Sequence, residues 1–251
     1  VPTLFVVIPV FEEPHTLEPC VRRAVAAPLP PGWNARLLLV DDASGRATAE
    51  IADRLAAEYA AQGRLELIRH PRNRGKGAAL RTGFDRALAL ADASDAVLTQ
   101  DGDLEYDPAD WCRLLAALPP EPMAAVIGDR WAMGAVPGVW RKLHAVVNAT
   151  LTRLSNLACG LRLHDMECGF KLFRTPLLRA IRPWMSEDRF GVEPQMVAAL
   201  ARVRARVAEA PVNYDPRDRR RGKKIGPLDG LRAVWVILRE RLRRIPPAAR
   251  S

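Results

Sequence analysis

Asp101-Gly102-Asp103 sets two carboxylates two residues apart, with a glycine between them that lets the backbone come close to a ligand. Hard oxygen donors of this kind suit Mg2+ or Mn2+ shared with a diphosphate. The ion would act as a Lewis acid, drawing off negative charge from a departing phosphate-bearing group. In isolation the triplet is also the composition of a surface turn. Its weight comes from its place, directly after the apolar run Ala96-Val97-Leu98-Thr99. A second acidic pair, Asp41-Asp42, likewise follows an apolar run, Leu37-Leu38-Leu39-Val40. Asn73-Arg74-Gly75-Lys76-Gly77 lacks the spacing and the hydroxyl of a nucleotide phosphate loop, yet a glycine-rich helix start with a lysine can steady an anion.

These residues need a scaffold that brings them to one edge. Apolar runs at Leu4–Ile8, Leu37–Val40, Leu65–Ile68 and Ala96–Thr99 read as strands buried on both faces. Between them lie helical patterns: Leu17, Val21, Ala24 and Val25; then Ile51, Leu55, Ala56 and Tyr59, closed by Gly63; then Ala79, Leu80, Gly83, Phe84, Ala87 and Leu88. Asp107-Pro108 opens a further helix, and 143–157, 192–203 and 228–245 read as helices, with a late strand in 206–214. Strands alternating with helices predict an α/β fold with a mixed, mostly parallel sheet flanked by helices. Ligands in such sheets bind beyond the carboxyl ends of the strands, so both acidic pairs should share one cleft.

The 251 residues suffice for one large α/β domain, expected over 1–226, with a basic amphipathic helix and tail over 227–251. A hydrophobic content of 49% excludes a disordered class. The formal charge of +9 is concentrated late, in Arg217, Arg219, Arg220, Arg221, Lys223 and Lys224. Such a block fits a phosphate-bearing substrate or an acidic membrane surface, and equally a solvated basic tail; nucleic acid is not expected. Four cysteines without a C-x-x-C pair speak against a zinc site or disulfide framework and fit a reducing compartment. No signal peptide is visible, and the longest late apolar run, 233–238, is far short of the roughly 20 residues of a membrane span. The expected location is cytoplasmic, peripheral at the membrane face. In the last helix Leu228, Leu231, Trp235, Leu238, Leu242 and Ile245 form one apolar stripe with arginines beside it, a pattern of a helix lying on a membrane or docking on a core or partner subunit. There is no G-x-G-x-x-G after the first strand, which removes the main support for a dinucleotide-dependent dehydrogenase.

Several segments together resemble one family. Val7-Ile8-Pro9-Val10-Phe11-Glu12-Glu13, Val40-Asp41-Asp42-Ala43-Ser44, Asn73 to Gly77, Asp101 to Tyr106, Asp165 to Lys171, and Tyr214-Asp215-Pro216-Arg217 with Gly222-Lys223-Lys224-Ile225 stand in the order of family 2 glycosyltransferases of GT-A fold. The set is similar to the polyprenyl-phosphate branch, which includes dolichyl-phosphate mannosyl- and glucosyltransferases, over roughly residues 4 to 240. The resemblance implies a nucleotide diphosphate sugar donor, UDP- or GDP-linked, whose pocket is lined by Pro9, Val10, Glu12, Asp41, Gly75, Lys76, Asp101 and Gly102. Arg217 and Lys223 would close over the diphosphate. Asp101, Asp103 and Glu105 would surround the metal. Arg130, Arg141 and His144 would face the acceptor, and Asp165 would lie with Asp103 at the reaction centre. Relatives often carry Gly-Ser-Arg where this chain has Gly128-Asp129-Arg130.

The chemistry so implied is one in-line displacement at the anomeric carbon, with inversion. A phosphate acceptor is already ionised at neutral pH and needs cations rather than a base. A hydroxyl acceptor on a small molecule or glycan would need a base such as Asp165. A non-catalytic subunit that binds a nucleotide sugar or a membrane partner is the third reading, and the intact acidic motif argues against it.

Overall fold

The computed structural model describes residues 1–133, 139–216 and 227–243, with the side chains of 139–144 and 227–229 excepted. The first half is the expected alternation: β1 Thr3–Val10, α1 Leu17–Val25, β2 Asn34–Asp41, α2 Arg46–Ala60, β3 Leu65–Arg69, α3 Lys76–Leu90 and β4 Ala96–Thr99. A 3-10 turn, Pro108–Asp110, precedes α4 Trp111–Ala117, and the Asp107 carboxylate caps it by accepting from the Ala109 amide. Then follow β5 Ala124–Asp129, α5 Val139–Cys159, β6 Lys171–Arg174, α6 Thr175–Ile181, α7 Val192–Arg202, β7 Arg206–Pro211 and α8 Pro227–Leu242.

One sheet of seven strands runs β3-β2-β1-β4-β6-β5-β7. Only β6 is antiparallel to its neighbours, β4 and β5. Every residue of β4 and β5 is buried, so both faces of the sheet are covered. The chain winds one way from β1 to β3 and then crosses back to β4 on the other side of β1. That reversal opens a crevice beyond the carboxyl ends of β1 and β4. The expected late strand stops at Pro211, and Tyr214 makes only an isolated bridge to Tyr106. The short β5 and β6 have no counterpart in the sequence reading.

Helix α3 presses on β1 so closely that a Cβ at Gly83 would overlap the methyls of Val7. At its start Gly75 has φ +100°, and there and at Gly77 a Cβ would strike the backbone of Glu187 and Asp188. The Ala78 amide donates to the Asp188 carbonyl at 3.1 Å, and Arg81 bonds the Glu187 carbonyl and the Asp188 carboxylate. Helix α8 packs on α5 and α7 through Ala233, Val236 and Ile237. It is tied by Arg202 and Gln195 to its buried Glu240, and by its own Arg232 and Arg239 to Glu187. These buried carboxylates matter more than the exposed Arg46–Glu50 pair: an exposed pair contributes roughly 0–1 kcal/mol, whereas stranding a buried charge costs about 3–5 kcal/mol.

Gly83→Ala should lower the urea midpoint at unchanged slope, by about 1–3 kcal/mol of stability. The stiff, fully buried Val7 cannot turn aside, and the overlap outweighs the roughly 1 kcal/mol that alanine gains in helix propensity.

Candidate active site

The acidic loop begins where β4 stops. Gln100, fully buried, donates its amide to the Asp101 carbonyl at 3.1 Å and accepts from the Trp111 indole at 3.1 Å. Gly102 sits under β1, and a Cβ there would lie 3.0 Å from Val10. Val10 is buried and Pro9 half-buried, so of that pair it is Pro9 that keeps surface toward the crevice. Three non-glycine residues with left-handed backbone stand at this edge: Glu12 (φ 50°), Ala43 (φ 62°) and Leu104 (φ 64°), one after each of β1, β2 and β4. Such backbone costs roughly 1–3 kcal/mol per residue and collects at functional sites.

Lys76, the first residue of α3, lays its ammonium on Asp101, 2.7 Å from one carboxylate oxygen and 3.1 Å from the other. The same ammonium stands 3.1 Å from Glu193 Oε1, as a charge pair without hydrogen-bond alignment. Burial alone would depress the Lys76 ammonium, but Asp101 and Glu193 outweigh it and hold it above the ordinary lysine range. Glu193 in turn accepts from Lys171 at 2.5 Å, and Lys171, with no exposed surface, also donates to the carbonyls of Met166 and Cys168. Nearby, burial and then the Glu193 charge push the Glu167 carboxyl up to about 7, and one of its oxygens is buried without a hydrogen-bond partner.

Asp42 builds the loop that delivers Lys76. Its carboxylate takes the amides of Arg74 at 2.9 Å and Gly75 at 2.6 Å, together with His70 Nδ1 at 2.6 Å. These partners lie some thirty residues on in the chain. Asp41, with no exposed surface, bonds the Ser44 amide at 2.9 Å and Arg69 at 2.8 Å. Glu12 accepts from the Gly45 amide at 2.8 Å and so joins the ends of β1 and β2.

On the far side of the acidic loop Asp165 is fully buried. It takes Arg130 Nε at 2.6 Å, Arg130 Nη2 at 2.7 Å, the Arg130 amide at 3.1 Å and Asn148 at 3.0 Å. Burial would raise its carboxyl, but the Arg130 guanidinium prevails and holds it below the usual range. The two residues expected to serve separately are thus one pair, an anchored cation with a saturated carboxylate. Arg130 lies over the Tyr214 ring at 5.1 Å, and the Tyr214 hydroxyl donates to Glu105 at 2.9 Å. The anchored guanidinium therefore adjoins the acidic loop. Asp129 caps its own turn, accepting from the amides of Trp131 and Ala132.

Among the described residues no three of His, Cys, Asp and Glu converge as a coordination set. The backbone turns over at Leu104, and Glu105 is held by Tyr214 and by the Asp215 amide on its carbonyl. Asp101 and Asp103 still offer two hard oxygens on a tight loop. Mg2+ commonly takes one or two carboxylates, several waters and substrate phosphates, so this donor set fits an ion completed by a diphosphate. Arg217 and Lys223 lie outside the described residues. Arg141 and His144 fall in the first turns of α5, their side chains likewise outside. Glu193 was not singled out in the sequence, and Lys171 stood only as the end of the Asp165–Lys171 segment without a role of its own; a lysine inside the apolar run Phe170–Phe173 was the available signal.

A profile described as Glycosyl transferase family 2 matches residues 5–182. A dodecaprenyl-phosphate galacturonate synthase of Rhizobium johnstonii is 27% identical over 215 residues, covering 86% of this chain and 60% of that protein. An undecaprenyl-phosphate mannosyltransferase of Micrococcus luteus is 28% identical over 217 residues, covering 82% of this chain and 86% of that one. The chain thus spans less than two thirds of the Rhizobium relative. Glucosyl-3-phosphoglycerate synthase of Mycobacterium tuberculosis, crystallised with Mn2+, UDP and phosphoglyceric acid, has the same fold at TM-score 0.65 and 18% identity, covering 97% of this chain and 80% of that one. The expected GT-A architecture is the observed one, and since the profile match spans most of its length, the chain belongs to glycosyl transferase family 2.

Proposed function

We propose that the protein moves a sugar, with inversion, from a UDP- or GDP-linked donor to a polyprenyl phosphate. The observation that carries this reading is the Arg130–Asp165 pair beside the acidic loop. A phosphate acceptor arrives ionised and needs a fixed cation, and Arg130 is one. A hydroxyl acceptor needs a base, and the Asp165 carboxylate is occupied by four hydrogen bonds. The names of the relatives, which are polyprenyl-phosphate sugar transferases, agree with the phosphate choice.

Asp101 and Asp103 would hold Mg2+ or Mn2+ at the end of β4, beside the β1/β4 crevice where the donor diphosphate would be received. When bound, the ion supplies Lewis-acid stabilisation of the leaving diphosphate. Lys76 adds a second cation, delivered by the Asp42-bound loop. Asp165 keeps Arg130 in one orientation, and Tyr214 keeps Arg130 and Glu105 in register.

We also assign α8 to a lipid surface, where such an acceptor resides. While its inner face is buried, Leu231, Trp235, Leu238 and Leu242 are 68%, 52%, 48% and 80% exposed along one stripe. Arg232 and Arg239 lie over the Trp235 ring at 6.0 and 4.7 Å. Apolar residues flanked by arginine suit the boundary of an anionic bilayer. No helix among the described residues is long and apolar enough to cross one.

Asp103→Ala should lower transfer at least about a hundredfold, and chelation should do the same to the wild type; full activity in either case contradicts the metal role. Asp165→Asn should reduce kcat/KM for labelled transfer into the organic phase yet leave the shape of the pH–rate profile unchanged. A lost acidic limb would make Asp165 the base and favour a hydroxyl acceptor. Replacing Leu231, Trp235 and Leu238 together by Gln should free the protein from anionic vesicles at unchanged circular dichroism; persistent binding removes α8 from the membrane.

A further inference from the structure

A row of alternating charges crosses the interior. Lys171, at the start of β6, has no exposed surface and donates to Glu193 Oε2 at 2.5 Å. Glu193, in the first turn of α7, has its other oxygen 3.1 Å from the Lys76 ammonium. Lys76, at the start of α3, reaches Asp101 at 2.7 Å. The four groups come from four different elements, and the two lysines do not touch. Lys171 also clamps the carbonyls of Met166 and Cys168, in the segment that follows Asp165.

The surroundings make Lys171 the group that sets the row. A buried ammonium needs its donors satisfied, and this one has two fixed carbonyls and one carboxylate. The carbonyls fix where the charge sits, and the charge fixes one oxygen of Glu193. The remaining oxygen is then left for Lys76. Without the Lys171 charge, Glu193 keeps a buried negative charge whose only cationic neighbour in the row is Lys76. Lys76 would be drawn from Asp101 toward α7, away from the strand end where a diphosphate is received.

We propose that Lys171 is a positioning residue for donor binding that acts through Glu193 on Lys76. The proposal rests on the nucleotide-sugar reading above, because Lys76 is taken to face the donor diphosphate. It adds a residue whose effect on donor binding is transmitted, not direct.

A double-mutant cycle tests it, read as binding of UDP and of GDP in the presence of Mn2+ by calorimetry, on full-length protein whose fold is checked by circular dichroism. Lys171→Met should weaken nucleotide binding about three- to tenfold in the wild type and leave it unchanged in a Lys76→Met background, a coupling between residues that do not meet. Lys171→Gln, which keeps a donor and loses the charge, runs the same cycle if the methionine variant fails to fold. An equal loss in both backgrounds would mean that Lys171 only holds the 166–168 backbone, and no loss in either would remove it from donor binding; both overturn the proposal. Absence of UDP and GDP binding by the wild type would instead strike at the nucleotide-sugar reading itself, and the inference would fall with it.

Discussion

An ammonium laid across a carboxylate at the end of β4 is the contact around which the cleft is arranged. Lys76 and Asp101 come from different elements, and neither position is set by local sequence alone. Asp101 is placed because β4 runs between β1 and β6 and stops where Gln100 locks to Trp111. Lys76 is placed because Asp42, at the end of β2, gathers the amides of the preceding loop. The glycines at 75 and 77 then let the 187–188 backbone lie against the helix start. Take away the parallel order of β2, β1 and β4, and the two charges no longer share an edge.

The opposite side of the cleft solves a different electrostatic problem. An arginine beside an acidic loop must be kept from collapsing onto its carboxylates. The fold supplies a carboxylate of its own, Asp165, buried and saturated, and stacks the guanidinium on Tyr214. Bidentate pairing fixes orientation as well as charge, which lysine could not do. One cation, Lys76, is thus paired with the acidic turn itself, while the other, Arg130, is paired with a carboxylate outside it.

How much of this was legible follows from the range of the interactions. The strands ending in acids were legible because an apolar run such as Ala96-Val97-Leu98 gives way, through Thr99 and Gln100, to Asp101. The wound parallel half followed from alternation alone. β6 was not legible: it has four residues, runs against its neighbours, and carries a buried lysine whose partner lies twenty-two residues later. The role of Asp42 was not legible because the loop it serves is about thirty residues away. Asp165 and Arg130 were both picked out by resemblance, yet their union is a fact of folding that no spacing declares. Of the stripe expected on α8, Leu231, Trp235, Leu238 and Leu242 are exposed, Leu228 and Ile245 lie outside the described side chains, and the pattern did not separate the inward face built on Val236 and Ile237.

Gly169 has a consequence for how such a protein can diversify. Its α-carbon passes so near the Asp101 carboxylate and the Tyr106 ring that no methyl group fits between them. The segment carrying Asp165 is therefore moulded directly onto the turn that carries Asp101. An exchange of segments between homologues at this seam would have to bring both sides of the mould together. A single substitution at this point would have to move the acidic turn with it, so changes confined to one residue fall more easily away from the seam.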